Sequence, residues 1–506
     1  MLVYGDQPRR ERPRDKLAAI ETALASGDRT RALIEAGELA QGLADAEFAV
    51  LGFDHDTPIQ AAAMALCVAV AGGRPGGAAA ARVDAFDLPS EVSVKTPEGY
   101  AFYGLYPESY DLAARSYAWP SPPFVIGLRS IGTSLAAVVA AATSAAEVVS
   151  VRPIGHPFRR ELRLSAAVRA RLAAHVGPFA VVDEGPGLSG SSFGAAADAL
   201  ESLGVAADRI VFLPGHGGDL GPEASPRHRA RWAAATRLVA QAPCPVADWF
   251  ADLTGPVVDA GDLPGTTWKV RLGDGFVARF AGLGAIGEHK LARARALHAA
   301  GFGPEPLALR HGLLLQRWVD GEVRPPSLDR LGRYLAFRRE AFPARPGADP
   351  AALIEMARVN VAELLGEPAG RETARRLQAL PLDLARPRPI HVDGRMHREK
   401  WIAGVKLDVL DHSEAHDLVG GQDIAWDVAG AALELGLSPA ETAGLARAAD
   451  ADPVMLALFE TCYPAFQVGL WTMAGDPARA APYRDRLAQL MGASGAAEKA
   501  AHATQA

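Results

Sequence analysis

The spacing of apolar positions divides the chain into two parts that predict different folds. Up to residue 247, short runs rich in Val, Ile and Phe alternate with longer segments whose apolar residues recur at helical spacing. Such alternation of strands and helices is typical of an α/β domain built on a parallel sheet. From residue 264, two runs of alternating apolar and polar residues flank Gly273-Asp274-Gly275, which is a hairpin signal, and helical segments follow. This second pattern indicates an α+β domain.

Composition shifts and Pro/Gly interruptions give the expected boundaries. Within the first 50 residues, Gly37 and Gly42 punctuate a helical pattern, and residues 48–53 are a possible strand. The pattern predicts a helical lead-in over 1–47, an α/β domain over 48–247, a linker over 248–263, an α+β domain over 264–492 and a disordered tail over 493–506.

The most informative stretch runs from residue 177 to residue 204. A β-branched run predicts a buried strand that ends in Asp183 and Glu184, followed by a Gly- and Ser-rich loop over 185–192 and then a helix. Glycines let the backbone approach an anion, and a helix N-terminus favours negative charge. Two carboxylates would repel a phosphate but suit ribose hydroxyls or a divalent metal ion. The stretch therefore predicts a site for a sugar phosphate, although a plain strand-to-helix turn with an N-capping serine would look similar.

This stretch resembles the signature of type I phosphoribosyltransferases, in which two acids hold the ribose hydroxyls of phosphoribosyl pyrophosphate (PRPP) and the loop holds its 5-phosphate. The loop is one residue longer than the usual pattern, and Gly187 or Leu188 stands where many members carry a further acid. The resemblance implies that Asp183 and Glu184 serve both catalysis and PRPP binding. It implies that the phosphate ligands are Ser189, Gly190, Ser191 and Ser192.

Two upstream segments extend the resemblance. Residues 124–135 predict a strand, a turn of small residues and a helix, similar to the family's pyrophosphate loop. Residues 149–160 predict a strand followed by a basic segment, where members often carry a mobile loop. The implied PRPP ligands from these segments are Arg129, Gly132, Thr133, Ser134 and Arg152, with His156, Arg159 and Arg160 as further candidates. A later Gly-rich loop offers His216 and Asp219 as acceptor contacts, or is a surface loop.

The segment between residues 100 and 119 holds five of the nine tyrosines. Aromatic side chains at this density are a candidate platform for a base or an aromatic substrate, or they pack over the sheet.

In the second part, the pattern predicts a hairpin, a helix and an apolar strand that is followed by polar residues. Two segments with carboxylate side chains come after them. Phosphoryl transfer needs a carboxylate to receive the acceptor proton, a second to hold Mg²⁺ on the phosphates, and a cation on the small lobe. Asp393 follows His391 at the spacing His-x-Asp, and Asp411 and Asp427 lie downstream. All three requirements therefore have candidates.

This part resembles the aminoglycoside phosphotransferase-like kinases, which have a two-lobed protein-kinase-like fold. By position, the resemblance implies Asp393 as the catalytic carboxylate braced by His391, Asp411 as a metal ligand, and Asp427 as a structural cap. Arg398 occupies the place of the usual Asn, so the second metal ligand would be His397 or Glu399. The ATP-binding residues implied are Arg279, in place of the small-lobe Lys unless Lys269 or Lys290 substitutes, and Glu288.

Charge and cysteine content limit the partners. The net charge is −7 with 22% charged residues, which gives no electrostatic case for nucleic acid or an anionic membrane. Three cysteines, far apart and odd in number, fit a reducing compartment. The first 16 residues lack an apolar signal core, and no run is long enough to span a bilayer. We expect a cytoplasmic protein that acts on small molecules, with oligomerisation open.

These observations favour a bifunctional transferase. The first module would transfer a ribosyl phosphate group from PRPP, with Mg²⁺, and the second would phosphorylate a small molecule with ATP. One alternative is a sensor or scaffold protein that binds nucleotide or PRPP without chemistry. A further alternative is a hydrolase of a ribose phosphate compound, with the two acids serving a metal ion and a water.

Overall fold

A computed structural model describes residues 1–5, 8–239, 245–256, 260–263, 268–407, 410 and 417–492. The expected metal ligand Asp411 and the tail over 493–506 lie outside the described residues.

The chain begins with a helical layer rather than a separate lead-in. Its elements are β1 (Arg9–Glu11), α1 (Pro13–Ala25), α2 (Arg29–Leu51), α3 (Pro58–Ala71), α4 (Gly77–Asp84), β2 (Val92–Val94) and α5 (Pro107–Ser116), with a π-helical turn at Gly99–Tyr103. The strand expected over 48–53 is wrong, because α2 continues to Leu51. Gly37 and Gly42 do not end this helix but allow close packing. A Cβ on Gly37 would stand 2.6 Å from the Cβ of Ser134, and one on Gly42 would stand 2.9 Å from Val92.

The α/β part is a five-stranded, fully parallel sheet in the order β4-β3-β7-β8-β9. Buried strands rich in Val, Ile and Phe form its centre because both faces are covered by helices. The elements are β3 (Phe124–Leu128), α6 (Gly132–Thr143), β4 (Glu147–Val151), β5 (Ile154–His156), β6 (Arg159–Glu161), α7 (Ala166–Ala174), β7 (Phe179–Val182), α8 (Ser191–Ser202), β8 (Ile210–Leu213), α9 (Pro226–Ala234) and β9 (Thr236–Arg237). Strands β5 and β6 form an antiparallel hairpin outside the sheet.

A second five-stranded sheet follows, antiparallel and ordered β10-β11-β12-β14-β13. The predicted hairpin at Gly273-Asp274-Gly275 joins two of its strands, and a helix separates this hairpin from the last two strands. The elements are α10 (Val246–Trp249), α11 (Ala251–Thr254), β10 (Ala260–Asp262), β11 (Lys269–Leu272), β12 (Phe276–Phe280), α12 (Ala285–Ala299), β13 (Pro306–Arg310) and β14 (Leu313–Arg317).

The remainder is a helical lobe with one short hairpin. Its elements are α13 (Leu328–Ala341), α14 (Pro350–Leu365), α15 (Glu367–Gln378), β15 (Trp401–Ile402), β16 (Val405–Lys406), α16 (Ala425–Leu435), α17 (Pro439–Ala448), α18 (Pro453–Met473) and α19 (Pro477–Leu490). None of the described helices combines the length and apolar character that a bilayer crossing requires.

The hydrophobic cores cross the expected domain boundary. One face of the antiparallel sheet, with Phe280 and Leu315, shares a core with α2, α3 and α6 of the first part. The other side, with Leu314, packs into the core of the helical lobe. Val3 is buried in that lobe as well, so the N-terminal residues contact the far end of the chain. The two parts therefore share hydrophobic cores, and the expected domain and linker boundaries stay a prediction.

Candidate functional site

Asp183 and Glu184 lie where the sequence predicts, directly after β7 at the carboxyl end of the parallel sheet. Both side chains are half-buried, and among the described residues neither forms an ion pair. Burial raises the pKa of Asp183 to about 7, against the opposing effects of the Glu184 amide and Arg152. Burial, with the nearby charges of Asp183 and Glu98, raises the pKa of Glu184 well above its ordinary value. Two acids held in this way favour a cation or hydroxyl donors as neighbours.

One hydrogen-bond donor to the acid pair comes from a segment that the sequence analysis did not connect with this site. The backbone N–H of Gly99 donates to Glu184 Oε2 over 2.7 Å. Gly99 opens the π-helical turn in the tyrosine-rich segment, where Tyr100, Tyr106 and Tyr110 are buried. Most of these aromatic side chains therefore pack under the rim instead of forming an open platform.

The small-residue loop has two glycines with positive φ and leads directly into a helix, and its residues Ser189 and Ser191 are buried. Gly187 and Gly190 both have φ of 61°, and α8 begins at Ser191 directly after the loop. The Ser189 hydroxyl donates to Ser191 Oγ over 2.9 Å, and the Ser191 hydroxyl donates to the carbonyl of Pro157 over 2.8 Å. Pro157 lies in the turn of the β5–β6 hairpin. The hairpin thus covers the loop, and a phosphate bound at Ser191 would take the place of this carbonyl.

Cations gather beside the acid pair from separate elements. Burial, together with the charges of Arg152 and Arg160, lowers the pKa of Lys95 to about 8, while Glu98 opposes them. Burial and Arg152 also lower the pKa of Arg160. Lys95 follows the short strand β2, and no local pattern in the sequence marks it as part of this site. The positive charges of Lys95, Arg152 and Arg160 repel one another, and a bound polyanion would reduce this repulsion.

Arg129 occupies a position different from the one expected at the pyrophosphate. Its guanidinium is buried, forms an ion pair with Asp54 and lies with Nε 3.1 Å from Asp45 Oδ1. Arg152 shares this network, since its Nε donates to Asp45 Oδ1 over 3.0 Å and its backbone N–H donates to Asp54 Oδ2 over 2.7 Å. Arg129 therefore anchors α2 and the following loop to the sheet. Arg152 is half-buried and also acts on the pKa of Asp183.

The predicted pyrophosphate turn at the start of α6 is tightly packed. A Cβ on Gly132 would stand 2.7 Å from the Val182 carbonyl, so glycine lets α6 approach the end of β7. Thr133 and Ser134 are buried, and the Ser134 hydroxyl donates to Ile131 and lies 3.1 Å from the hydroxyl of Tyr100. A Cβ on Gly132 would also stand 3.5 Å from Asp183 Oδ1, so the backbone of this turn lies close to the acid pair. His216 and Asp219 are exposed on the loop after β8.

In the second part, Asp393 is completely buried and accepts three hydrogen bonds. The donors are the Tyr334 hydroxyl, Lys406 Nζ at 3.1 Å and the Arg395 amide at 3.1 Å. Burial opposes its ionisation, but the charges of Lys406 and Arg338 outweigh that effect, so the pKa of Asp393 lies below its ordinary value. This carboxylate is buried and ion-paired with Lys406, and its expected catalytic role stays a prediction.

Asp427 holds the backbone of the loop that carries Asp393. Its two carboxylate oxygens accept the backbone N–H groups of Asp393 and Gly394, each over 2.8 Å. His391 is half-buried, and its backbone N–H donates to the carbonyl of Phe342 over 2.9 Å. These contacts hold the loop rigid.

Of the expected metal ligands, Asp411 lies outside the described residues, and only the alternatives for the second ligand, His397 and Glu399, can be placed. His397 Nδ1 lies 3.0 Å from Glu434 Oε2, which belongs to α16, while Glu399 is exposed. Glu434 also accepts hydrogen bonds from the hydroxyls of Tyr463 and Tyr483. Over the described part of the chain, no group of three His, Cys, Asp or Glu side chains has metal-binding geometry.

The expected ATP-binding residues are separated. Arg279 is buried on β12, whereas Glu288 lies on the outer face of α12 and pairs with Arg31 at 3.4 Å. The inner face of α12 carries Lys290 and Arg293 instead, both buried, with Lys290 Nζ 5.7 Å from the Phe102 ring centre. Glu288 is therefore on the exposed side of the helix, and its role in ATP binding stays a prediction.

No protein-family model matches this chain, and no curated protein shows significant similarity to it. About half of the chain is similar to solved kinase structures. Choline kinase LicA from Streptococcus pneumoniae is 15% identical over 49% of this chain and 98% of its own, with a TM-score of 0.34. A choline/ethanolamine kinase family protein from Mesorhizobium loti is 20% identical over 48% and 92%, with a TM-score of 0.34. A GDP complex of aminoglycoside 2'-phosphotransferase-IIIa is 14% identical over 49% and 97%, with a TM-score of 0.34. At these TM-scores and identities the comparisons say nothing about the activity or substrate of this chain, so both are argued from its own structure.

Proposed function

We propose that the first part binds PRPP together with Mg²⁺ and transfers its ribosyl phosphate group to a small-molecule acceptor. The observation that carries the proposal is the charge pattern at the sheet edge. Asp183 and Glu184 lack ion-pair partners among the described residues, and Lys95, Arg152 and Arg160 repel one another nearby. A ligand with hydroxyls at one end and a pyrophosphate at the other complements both groups.

The proposed binding mode follows from these positions. Asp183 and Glu184 would accept hydrogen bonds from the ribose hydroxyls or ligate Mg²⁺, which prefers carboxylate oxygens. The N-terminus of α8 and the hydroxyls of Ser189 and Ser191 would hold the 5-phosphate once the Pro157 carbonyl has moved away. Mg²⁺ would neutralise charge on the pyrophosphate. In the transfer, the acceptor forms a bond to C1 of the ribose, the bond from C1 to the pyrophosphate oxygen breaks, and pyrophosphate leaves with the electron pair.

For the second part, we propose nucleotide binding at the antiparallel sheet, where Arg279 is buried. Phosphorylation of a small molecule would require Asp393 to leave its contacts with Tyr334 and Lys406 and reach solvent. This observation favours a second candidate for that part, in which it binds nucleotide without transferring phosphate.

The test is direct binding of PRPP to the full chain with MgCl₂, measured by isothermal titration calorimetry, followed by pyrophosphate release in the presence of a small-metabolite extract. Asp183→Asn should weaken PRPP binding by roughly tenfold or more, because removing a charge-assisted contact costs about 1.5–3 kcal/mol. Asp219→Asn, at an exposed carboxylate on the neighbouring loop, is the matched control and should leave the affinity unchanged. Failure of PRPP to bind the wild-type chain at millimolar concentration would refute the proposal.

A further inference from the structure

The turn formed by residues 97–106, here the bridging turn, contacts the acid pair on one side. Within it, Gly99 donates its backbone N–H to Glu184 Oε2 over 2.7 Å. The hydroxyl of the next residue, Tyr100, lies 3.1 Å from Ser134 Oγ at the start of α6. The bridging turn is therefore part of the wall of the proposed PRPP site.

The same turn contacts the antiparallel sheet on its other side. The carbonyl of Tyr100 accepts the N–H of Leu283 over 2.8 Å, and the Tyr106 hydroxyl donates to the carbonyl of His311 over 2.8 Å. Leu283 lies between β12, which carries Arg279, and α12, which carries Lys290. One backbone segment thus joins Glu184 to the loop that follows the proposed nucleotide-binding strand.

The packing around the bridging turn leaves little room for independent movement. A Cβ on Gly99 would stand 2.6 Å from Leu105, 2.8 Å from Ile131 and 2.9 Å from Glu184 Oε2. On the other side, a Cβ on Gly282 would stand 3.0 Å from the carbonyl of Ala101. Close-packed interiors transmit a shift of one group to its neighbours. A displacement at Glu184 is therefore expected to reach Leu283.

We propose that occupancy of the acid pair by PRPP and occupancy of the antiparallel sheet by nucleotide are thermodynamically coupled through the bridging turn. The proposal rests on the proposed function of both parts. A ligand that engages Glu184 competes with the Gly99 amide for the same carboxylate oxygen. A buried amide that loses its partner is costly, so the turn adjusts, and its hydrogen bond to Leu283 carries that adjustment to the nucleotide side. Linkage requires that each ligand change the affinity of the other by the same factor.

The experiment measures dissociation constants by isothermal titration calorimetry on the full chain with Mg²⁺. The probes are PRPP and the non-hydrolysable ATP analogue adenosine 5'-(β,γ-imido)triphosphate, each titrated alone and in the presence of saturating amounts of the other. For wild type we expect each ligand to change the affinity of the other by about fivefold or more, within the usual range of coupling between sites.

Gly99→Ala presses a methyl group against Glu184 and should reduce the coupling factor to less than about twofold. Because Gly99 lies in the wall of the PRPP site, the affinity for PRPP alone should fall as well, whereas the ATP analogue alone should bind as in wild type. The matched control is Gly275→Ala, at a hairpin position where a Cβ meets nothing within 4 Å, and it should keep the wild-type factor. If Gly99→Ala unfolds the chain, as judged by thermal melting, Tyr106→Phe replaces it, because it removes only the hydroxyl contact with His311. The factor should then fall by a smaller amount.

The outcomes separate the proposals. If PRPP or the ATP analogue does not bind alone, the corresponding proposed function is overturned, and the coupling with it. If both bind and neither changes the affinity of the other, the proposed functions stand and the coupling is overturned. A factor that persists unchanged in Gly99→Ala and Tyr106→Phe overturns the assigned route through the bridging turn.

Discussion

The two carboxylate centres of this protein are both withdrawn from solvent but are set up in opposite ways. Asp183 has no ion-pair partner among the described residues, and burial raises its pKa to about 7. Asp393 accepts hydrogen bonds from Tyr334, Lys406 and the Arg395 amide, and its pKa lies below the ordinary value despite burial. The first carboxylate lacks the cation that its burial calls for, whereas the second already has one.

This difference indicates which centre is arranged for a ligand. A buried carboxylate without a cation is costly to ionise, so a metal ion or hydroxyl donors that bind there gain an interaction that the protein itself does not supply. Asp393, with an ammonium, a phenol and an amide around it, already has three of its roughly four acceptor sites occupied. Sequence spacing suggested chemistry at both centres; the structure shows a cation partner at Asp393 but not, among the described residues, at Asp183, and the roles of both residues stay predictions.

The largest expected effect is on the stability of the Asp393 centre. Lys406→Met should lower the free energy of unfolding by about 3–5 kcal/mol, because it leaves a buried carboxylate without its cation. Urea denaturation followed by circular dichroism measures this. The double variant Lys406→Met with Asp393→Asn is the control and should be less destabilised than Lys406→Met alone. A loss below about 1 kcal/mol would show that the pair behaves as an exposed one.

The free energy of unfolding should depend on pH through the ionisation of Asp183. The folded pKa of about 7 lies above the ordinary value of 3.8 for an aspartate in the unfolded chain, so the favourable contribution is complete below pH 3.8 and is lost as the pH rises through 7. Asp183→Asn removes this loss and should raise the free energy of unfolding at pH 8 by on the order of 1–3 kcal/mol, with little effect near pH 4.

Urea denaturation at both pH values measures the difference, with Asp219→Asn as the exposed control. A variant that is destabilised at pH 8 would contradict the raised pKa.

Anion binding beside the acid pair should depend on Lys95. Because burial and the neighbouring arginines lower its pKa to about 8, Lys95 loses its charge between pH 7 and pH 9. Inorganic pyrophosphate should bind roughly three- to tenfold more weakly at pH 9 than at pH 7, because the anion loses its contact with the charged Lys95 side chain. Ionisation of the acid pair acts in the same direction, so a substitution is needed to separate the two.

Lys95→Arg keeps its charge at pH 9 and should remove the part of this drop that lies above pH 8. Calorimetric titration with pyrophosphate is the measurement. If the profile of Lys95→Arg matches that of wild type, Lys95 is not a ligand of the anion.

The smallest effect is expected at Glu288. Its side chain is exposed and its pair with Arg31 spans 3.4 Å, so Glu288→Ala should change stability by less than about 1 kcal/mol. Binding of the ATP analogue should also stay the same, since the inner face of α12 carries Lys290 and Arg293. Calorimetry on Glu288→Ala, with Lys290→Met as the comparison, measures both effects. A tenfold weaker nucleotide affinity in Glu288→Ala would restore the original expectation for this residue.

The chain sequence by itself determined the local units of the first part. A β-branched run, two acids, a loop of small residues and a helix follow one another between residues 177 and 204, and the structure has them in that order. Local patterns of this kind are readable because a buried strand and a helix N-terminus each impose their own residue preferences. The same holds for the hairpin at Gly273-Asp274-Gly275.

Only the tertiary structure decided which side chains share a site. Arg129 is drawn away by Asp45 and Asp54, and Lys95 and Gly99 enter from an upstream segment. No local pattern specifies these choices, because each depends on the packing of elements distant in sequence and on the need of buried charges to find partners. The shared core between the antiparallel sheet and α2, α3 and α6 has the same origin, since an apolar sheet face packs against whichever apolar surface the rest of the chain presents.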